Sequence, residues 1–349
     1  RTGSFFPDDV IERYQRADRA LVAAVAEMHA TATSTRKVQR VAEKMGVSRL
    51  SKDQVSAIAS SLDADVEELC ARPLEGSPVP YVWLDATYVK CRRGGRVAST
   101  AVVTAIGCDA GGWRRVLGGG VVDTESYDSW LAFLRKIRDR GVSGVQLVVS
   151  DAHGGLVAAA SEVFQGAAWQ RCAVHLMRDC MREAGYWQLR RRVGRVVSQV
   201  FRGRDAATVT AIYHVACDML EGCRPRAAAI LEGAEPDALA YLDFPPSHWK
   251  RLRTNNVQER TNREIKRRSR VVQVFPSTGS LVRLAGAVMC EQDETWQESR
   301  YFSEERMNEL YDEGRTRGLD GTVDWSRLEA EARKMIESGL ELADRIEAA

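Results

Sequence analysis

Three carboxylates stand in the sequence where metal-dependent chemistry would need them. Asp85 lies inside the apolar run VWLDATYVK, Asp151 directly follows the run GVQLVVS, and Glu259 stands at the head of a basic segment. Two adjacent carboxylates repel each other unless they share a proton or a cation. A hard divalent ion such as Mg²⁺ is bound by one or two carboxylates and completes its shell with water and phosphate oxygens. The three acids therefore predict a two-metal site that acts on a phosphodiester.

Each acid also has a purely structural interpretation. Asp85 could pair with an Arg or Lys of its sheet, and Asp151 could cap the helix that follows it. Glu259 could close a capping box in which Asn256 is the N-cap residue. The coincidence of all three acids with strand positions and a basic helix favours the catalytic interpretation.

The basic segment at residues 250–270 predicts a surface for a polyanion. It carries nine cationic side chains against two acids, Glu259 and Glu264, although the formal net charge of the whole chain is only +2. A nucleic-acid surface must therefore come from local clustering of charge. We expect contacts to backbone phosphates, which give affinity and salt dependence but little sequence specificity. The predicted contacts are Arg260, Arg263, Lys266, Arg267 and Arg268.

The first part of the chain predicts helices that could read DNA. Ser34 or Thr35 begins one helix that ends at Gly46, and Ser51 begins the next after a tight turn. This spacing favours a helix-turn-helix within residues 1–76, although a small helical bundle with solvated charges fits as well. The residues that we expect to contact DNA there are Arg36, Lys37, Lys52 and Gln54.

Beyond a Pro- and Gly-rich linker, RPLEGSPVP, the pattern changes to strands. The predicted order is β-β-β-α-β-α-β, then a helical, Arg-rich stretch from about residue 176 to 232, then the basic helix. Asp85 falls in the first strand and Asp151 at the end of the fourth, where open α/β sheets place their ligand sites. We expect these two strands to be neighbours, as in an RNase H-like sheet.

Four motifs, taken in order, resemble those of the mutator-type bacterial insertion-sequence transposases, a DDE family with an RNase H-like catalytic core. They are LDATYVK, VVSDAHGGL, WQRCAVHLMRD and HWKRLRTNNVQERTNREIKRR. The stretch STRKVQRVAEKMGVSRLSKDQVSAI is similar to the helix-turn-helix part of that family, and the resemblance spans about residues 5–300. It implies an α/β fold: an RNase H-like mixed sheet with a helical insertion, preceded by an N-terminal helix-turn-helix domain.

The resemblance also implies site residues and domains. The family's catalytic and metal-binding acids fall on Asp85, Asp151 and Glu259, and its C-x-x-H signature falls on Cys172 and His175. The implied domains are an N-terminal DNA-binding domain, a catalytic core in two parts with a helical insertion between them, and a helical tail, at residues 1–76, 79–175, 176–248, 249–300 and 301–349.

Two further residues near the motifs could touch DNA, namely His153 and Trp249. Cys172 and His175 supply only half of a zinc site, so structural zinc is the less favoured alternative to a local packing role.

The implied activity is metal-dependent DNA cleavage and strand transfer. We expect two Mg²⁺ or Mn²⁺ ions per active site, double-stranded DNA (terminal inverted repeats and target) as partner, a homodimer, and no small-molecule substrate. Eight scattered cysteines, without a signal peptide or an apolar run of spanning length, predict a cytoplasmic protein, associated with the bacterial nucleoid and not a membrane. The alternatives are a non-catalytic helix-turn-helix regulator and an RNase H-like nuclease or resolvase that cleaves without joining.

Overall fold

The computed structural model describes residues 63–122, 124–314 and 323–348, apart from the side chains of residues 271 and 342–348. The helix-turn-helix prediction lies almost wholly outside these residues. The DNA contacts expected there also lie outside them, namely Arg36, Lys37, Lys52 and Gln54. The helix-turn-helix and these contacts both stay predictions.

Five strands form one mixed sheet: β1 (Tyr81–Arg93), β2 (Arg96–Cys108), β3 (Arg114–Val122), β4 (Leu147–Ser150) and β5 (Ala168–Arg171). Their order across the sheet is β3-β2-β1-β4-β5. β1 pairs antiparallel with β2 and parallel with β4, and β4 pairs parallel with β5. The predicted antiparallel meander and the predicted adjacency of the first and fourth strands are therefore confirmed.

Two glycines set the register of the hairpin between β1 and β2. Gly94 and Gly95 have φ of 51° and 79°, a region that residues with a side chain rarely adopt. A two-residue turn with both φ values positive matches the right-handed twist of the flanking strands. From this turn, the pairing runs back to place Asp85 opposite Thr104.

Helices follow the strands: α1 (Tyr127–Asp139), α2 (Gly154–Val163), α3 (Ala173–Arg182), α4 (Trp187–Val200), α5 (Ala206–Glu221), α6 (Pro225–Glu232), α7 (Glu235–Ala238), α8 (Trp249–Leu252), α9 (Asn256–Val272), α10 (Thr278–Trp296), α11 (Glu304–Leu310) and α12 (Trp325–Ala348). A 3₁₀ turn at Ala240–Asp243 lies between α7 and α8. In the described part of the chain, no helix is both long and apolar enough to span a membrane.

The two faces of the sheet carry different helices. On one face, Trp130 and Leu134 of α1 and Leu156 of α2 form a buried core with Leu84. On the other face, Trp83 lies in a larger core shared with α9, α10 and the helices α3–α6. Successive side chains of a strand point to opposite faces. The position of Asp85 two residues after Trp83 therefore puts its carboxylate on the α9 side.

The helical stretch predicted for residues 176–232 is divided into four helices, α3–α6. Gly185 has a φ of 82° and separates α3 from α4, while Pro225 stands in the first turn of α6, where its missing N–H has no partner to lose. The predicted helical character of this stretch is therefore confirmed, and these local breaks divide it into separate helices. The tail helix α12 packs against α4 and α5. The division of the chain into domains stays a prediction.

Candidate active site

Asp85 is a buried carboxylate held by neutral hydrogen-bond donors. Only 9% of its surface is exposed. Its Oδ1 accepts a hydrogen bond from the Ala86 N–H at 2.9 Å, and its Oδ2 accepts one from the Asn262 side-chain amide of α9 at 2.7 Å. Among the described residues it forms no ion pair, so the structure does not supply the Arg or Lys partner of the structural interpretation.

The electrostatic surroundings of Asp85 disfavour its negative charge. Burial and, next, the negative charge of Asp151 raise the pKa of Asp85 from 3.8 to about 7, against the opposing effect of the hydrogen bonds from Ala86 and Asn262. Near neutral pH the side chain is therefore divided between its protonated and charged forms. A bound divalent cation would favour the charged form.

Asp151 follows β4 directly, two residues beyond the last pairing of β4 with β1. The pairing of β1 with β4 sets Trp83 opposite Val149. Continuing this register by two residues brings Asp151 opposite Asp85, in agreement with the effect of Asp151 on the pKa of Asp85. The first two acids predicted from the sequence are therefore brought together by strand pairing.

The helix after β4 is capped by His153 and not by Asp151. The His153 Nδ1 accepts a hydrogen bond from the Leu156 N–H at 3.4 Å at the start of α2. The Asp151 Oδ1 accepts a long hydrogen bond, of 3.4 Å, from the His153 N–H. Asp151 is thus not the helix cap of its structural interpretation. His153 lies in the same cavity as Asp151, and its contact with DNA stays a prediction.

Amide side chains fasten the beginning of α9 to the sheet around Asp85. The Asn255 Nδ2 donates to the Leu84 carbonyl at 2.8 Å. The Gln258 Nε2 donates to the Trp83 carbonyl, and the Gln258 Oε1 accepts from the Thr104 hydroxyl at 2.6 Å. Because these groups are buried, breaking the hydrogen bonds would leave polar atoms unsatisfied. The helix is therefore held at a fixed position above the carboxylate.

Glu259 stands in the first turn of α9 and is bound by an arginine. Asn255 is the N-cap residue and makes no side-chain capping bond, so the predicted capping box with Asn256 as the cap is wrong. The amide of Asn255 is engaged with the sheet instead. The Glu259 Oε1 accepts a hydrogen bond from the Arg178 Nη2 of α3 at 3.3 Å.

The acids open into two neighbouring cavities. Asp85 and Glu259 line a cavity of about 510 Å³, and Asp151 lines one of about 630 Å³. His175 lines both. Along α9 the first cavity continues between four cationic side chains: Arg263, Lys266, Arg267 and Arg270. A carboxylate centre thus adjoins a positively charged channel.

The oxygen donors at this centre suit a hard divalent cation, although they are not drawn together as a finished ligand set. Over the described residues, no group of three or more His, Cys, Asp or Glu side chains stands close enough to hold a metal ion. Arg178 keeps Glu259 engaged. Beside Asp85, the Asn262 Oδ1 is buried without a hydrogen-bond partner. An unsatisfied buried acceptor among carboxylates fits a site completed by a hydrated Mg²⁺ or Mn²⁺ ion.

Cys172 and His175 connect β5 to the two cavities. Cys172 is buried, and its Sγ accepts a hydrogen bond from the Asn255 N–H at 3.3 Å. The His175 Nδ1 is buried and has no hydrogen-bond partner. Burial lowers the pKa of His175, against the opposing effect of Asp151, so the imidazole is neutral at pH 7. The thiol therefore helps to position α9, while the ring faces the site.

Sequence reasoning missed Gln258, Asn262 and Glu125. Gln258 comes three residues after Asn255, and Asn262 comes four residues after Gln258. This spacing places the three amides on one face of a helix and was the available signal. Glu125 had no such signal. It accepts a 2.9 Å hydrogen bond from the Tyr88 hydroxyl, and its charge adds to the rise in the pKa of Asp85.

Two of the predicted DNA contacts are corrected by the structure. The Arg268 side chain is only 6% exposed and forms ion pairs with Glu264 at 2.7 Å and Glu291 at 2.6 Å, so it fastens α9 to α10. Trp249 is buried, and its Nε1 donates to the Phe244 carbonyl at 2.7 Å. Neither side chain is available to a nucleic acid. The other predicted contacts on α9 are all exposed, namely Arg260, Arg263, Lys266 and Arg267, and their DNA contacts stay predictions.

The buried carboxylate predicts a pH-dependent stability. The pKa of Asp85 in the folded protein lies above its ordinary value of 3.8. The protonated side chain therefore contributes its full stability below pH 3.8, and this contribution is lost as the pH rises through about 7. The free energy of unfolding of Asp85→Asn, relative to that of the wild type, should therefore rise by roughly 2–3 kcal/mol between pH 5 and pH 8. Urea unfolding in EDTA measures this difference.

The control for this experiment is Asp139→Asn, since the Asp139 side chain is 63% exposed. Its stability difference from the wild type should be the same at both pH values. An Asp85→Asn difference that does not change between pH 5 and pH 8 would contradict the assignment of the raised pKa.

Comparison with known proteins accounts for most of the chain. The family model described as "Transposase, Mutator family" matches residues 1–299. The transposase for insertion sequence element IS1081 of Mycobacterium tuberculosis is 41% identical over 306 residues, 86% of this chain and 72% of the relative. The transposase for ISRM5 of Rhizobium meliloti is 38% identical over 317 residues, 87% of this chain and 76% of the relative. The transposase for IS256 in transposon Tn4001 of Staphylococcus aureus is 34% identical over 298 residues, which are 85% of this chain and 76% of the relative. The chain therefore belongs to the Mutator family of transposases.

Proposed function

We propose that this protein binds the ends of an insertion sequence and carries out metal-dependent strand cleavage and transfer with Asp85, Asp151 and Glu259. The observation that carries the proposal is the register of β1 and β4, which sets Asp151 opposite Asp85 under the beginning of α9. A cationic channel leads away from this position along α9. Such a channel suits a DNA backbone.

The catalytic core is, on this proposal, RNase H-like. That fold has three antiparallel strands, then a helix, then a strand that pairs parallel with β1. The same order is found in this chain. The insertion between the second acid and Glu259 would be residues 176–248, which contain most of α3 and the helices α4–α7. The helix-turn-helix at the beginning of the chain would recognise the terminal inverted repeats as part of a homodimer that pairs two ends.

Asp85 and Asp151 would hold one Mg²⁺ or Mn²⁺ ion, and Asp85 and Glu259 the other. When bound, two such ions activate a water molecule and stabilise the leaving 3′ oxygen of a phosphodiester. The amide of Asn262 fixes the orientation of the Asp85 carboxylate. The neutral His175 ring faces both cavities and can donate one hydrogen bond to a phosphate oxygen or accept one from water.

Arg178 connects binding of the DNA with completion of the site. It is 56% exposed and holds Glu259 by a single hydrogen bond of 3.3 Å. An exposed ion pair of this kind is weak. A DNA phosphate that enters the cavity competes for the guanidinium and so releases Glu259 toward Asp85. Substrate binding and assembly of the three acids are therefore coupled.

The test is an assay on end-labelled terminal-repeat DNA with Mg²⁺ or Mn²⁺. The proposal expects nicking at the repeat end, followed by joining of the freed 3′ hydroxyl to a target duplex. Cleavage without joining would identify a nuclease or resolvase instead. DNA binding without any metal-dependent cleavage would identify a non-catalytic regulator.

Phosphate contacts along α9 predict a change in the salt dependence of binding. Arg263→Gln and Lys266→Gln should each weaken duplex binding for every sequence tested and reduce the slope of log K against log salt by about 1. Fluorescence anisotropy between about 50 and 200 mM salt measures the slope. Arg138→Gln is the matched control, because this exposed arginine lies on α1 and is paired with Asp139. A slope that equals the control's would contradict the phosphate assignment.

A further inference from the structure

Two aromatic side chains stand exposed at the beginning of α4. Tyr186 is 63% exposed and Trp187 is 60% exposed. The opposite side of the same helix is buried through Val193, Val197 and Val200, so the helix is fully anchored without the aromatic pair. An exposed apolar patch of this kind, rimmed by polar residues, commonly marks a binding site.

Three cationic side chains follow this aromatic pair on the same helix. Arg190, Arg191 and Arg192 are all exposed on the first turns of α4. The guanidinium of Arg191 lies 5.5 Å from the centre of the Trp187 ring, a cation–π contact that orients the indole. We call these five residues, Tyr186, Trp187, Arg190, Arg191 and Arg192, the aromatic patch. Its charge suits a polyanion, and its rings suit a flat, stacking group.

The aromatic patch is connected to the candidate active site by α3. His175, at one end of this helix, lines both cavities, and Arg182, at the other end, lines the cavity that contains Asp151. Seven residues of helix cover about 10 Å, so the patch lies within reach of a short stretch of the same strand. Gly185 then turns the chain into the patch. Arg178 and Arg182 supply further positive charge along this path.

We propose that the aromatic patch binds an unpaired stretch of the DNA strand next to the scissile phosphate. Bases within a duplex are already stacked on each other, so an exposed indole can stack only on a base that has left the helix. Base–aromatic stacking combined with a cationic track is the common way to hold single-stranded nucleic acid without reading its sequence. The location next to the cut rests on the proposed function, whereas the binding of single strands does not.

The test compares single-stranded and duplex oligonucleotides of one sequence, with the full chain in EDTA, by fluorescence anisotropy. Trp187→Ala should weaken single-strand binding by about 5- to 100-fold and change duplex binding less than about twofold. Trp187→Phe, which keeps a ring, should restore most of the loss. The matched control is Tyr311→Ala, because Tyr311 is also exposed, at 46%, but lies after α11 and outside the patch.

Three results would overturn the proposal. The first is Trp187→Ala binding single strands as the wild type does. The second is an equal loss on single strands and duplex, which would reduce the patch to a phosphate contact. The third is a change of oligomeric state in Trp187→Ala by light scattering, which would identify a second copy of the chain as the occupant. Because no metal is needed, a protein that binds single strands through Trp187 but never cleaves DNA would support this inference and contradict the proposed function.

Discussion

Asp85→Asn is expected to lower metal-dependent strand cleavage by at least about 10³-fold, since it removes the carboxylate shared by both proposed ions. Asp151→Asn and Glu259→Gln should produce losses of the same order. Asp85→Asn hardly alters the shape of the side chain, and the Asn262 amide still finds an acceptor oxygen at position 85. Binding to terminal-repeat DNA in EDTA should remain as in the wild type or become tighter, because a negative charge has been removed.

Cleavage of labelled terminal-repeat DNA in single-turnover conditions measures this loss. Asp205→Asn is a suitable control, because Asp205 is the N-cap residue of α5 and is not one of the three proposed catalytic acids. Retention of cleavage and joining in all three acid variants would show that the triad assignment is wrong. A loss of DNA binding in EDTA that parallels the loss of cleavage would show that the acids act on affinity instead.

Asp293→Ala is expected to destabilise the fold by about 3 kcal/mol, because it leaves a buried strand N–H and a partly exposed guanidinium without their acceptor. Asp293 of α10 is 3% exposed. It accepts hydrogen bonds from Arg72 at 2.5 and 3.0 Å and from the Val116 N–H of β3 at 2.6 Å. Its loss would leave the Arg72 guanidinium and the Val116 N–H without an acceptor and would weaken the attachment of α10 to β3.

Denaturant unfolding measures this change. Asp139→Ala, which removes an exposed pair with Arg138, should cost less than about 1 kcal/mol. Asp293→Asn, which keeps two polar atoms at the site, should fall between the wild type and the alanine variant. An alanine variant within about 1 kcal/mol of the wild type would mean that water replaces the carboxylate, in contrast to the buried position seen here.

The strands and their order could be predicted because their signals are local. An apolar run interrupted by CRRGG at residues 91–95 predicts a hairpin whatever the rest of the chain does. The same holds for the acids, since Asp85 in a strand and Asp151 at a strand end can be identified from the residues around them. The capping box at Asn256 shows the limit of this approach. Its pattern was present, but Asn255 makes a better contact with the Leu84 carbonyl, 171 positions earlier in the chain.

The roles of the cations could not be separated from the sequence. Arg263 and Arg268 stand on one basic helix and look alike there, yet Arg263 lines the channel while Arg268 is buried between Glu264 and Glu291. The helix period alone does not reveal which face α10 covers. Trp249 is a similar case, because an indole next to a catalytic motif suits stacking on a base as well as packing in a core.

By itself, the sequence determined the residue types of the site, the strand and helix order, and the family, because each depends on short runs of neighbouring residues. Only the tertiary structure decided that Asp151 lies opposite Asp85, that amides of α9 hold the helix over them, and that Arg178 keeps Glu259 occupied. These facts depend on strand register and on packing between segments far apart in the chain. The physical reason is that burial and the pairing of charges are properties of the assembled neighbourhood, which no local pattern encodes.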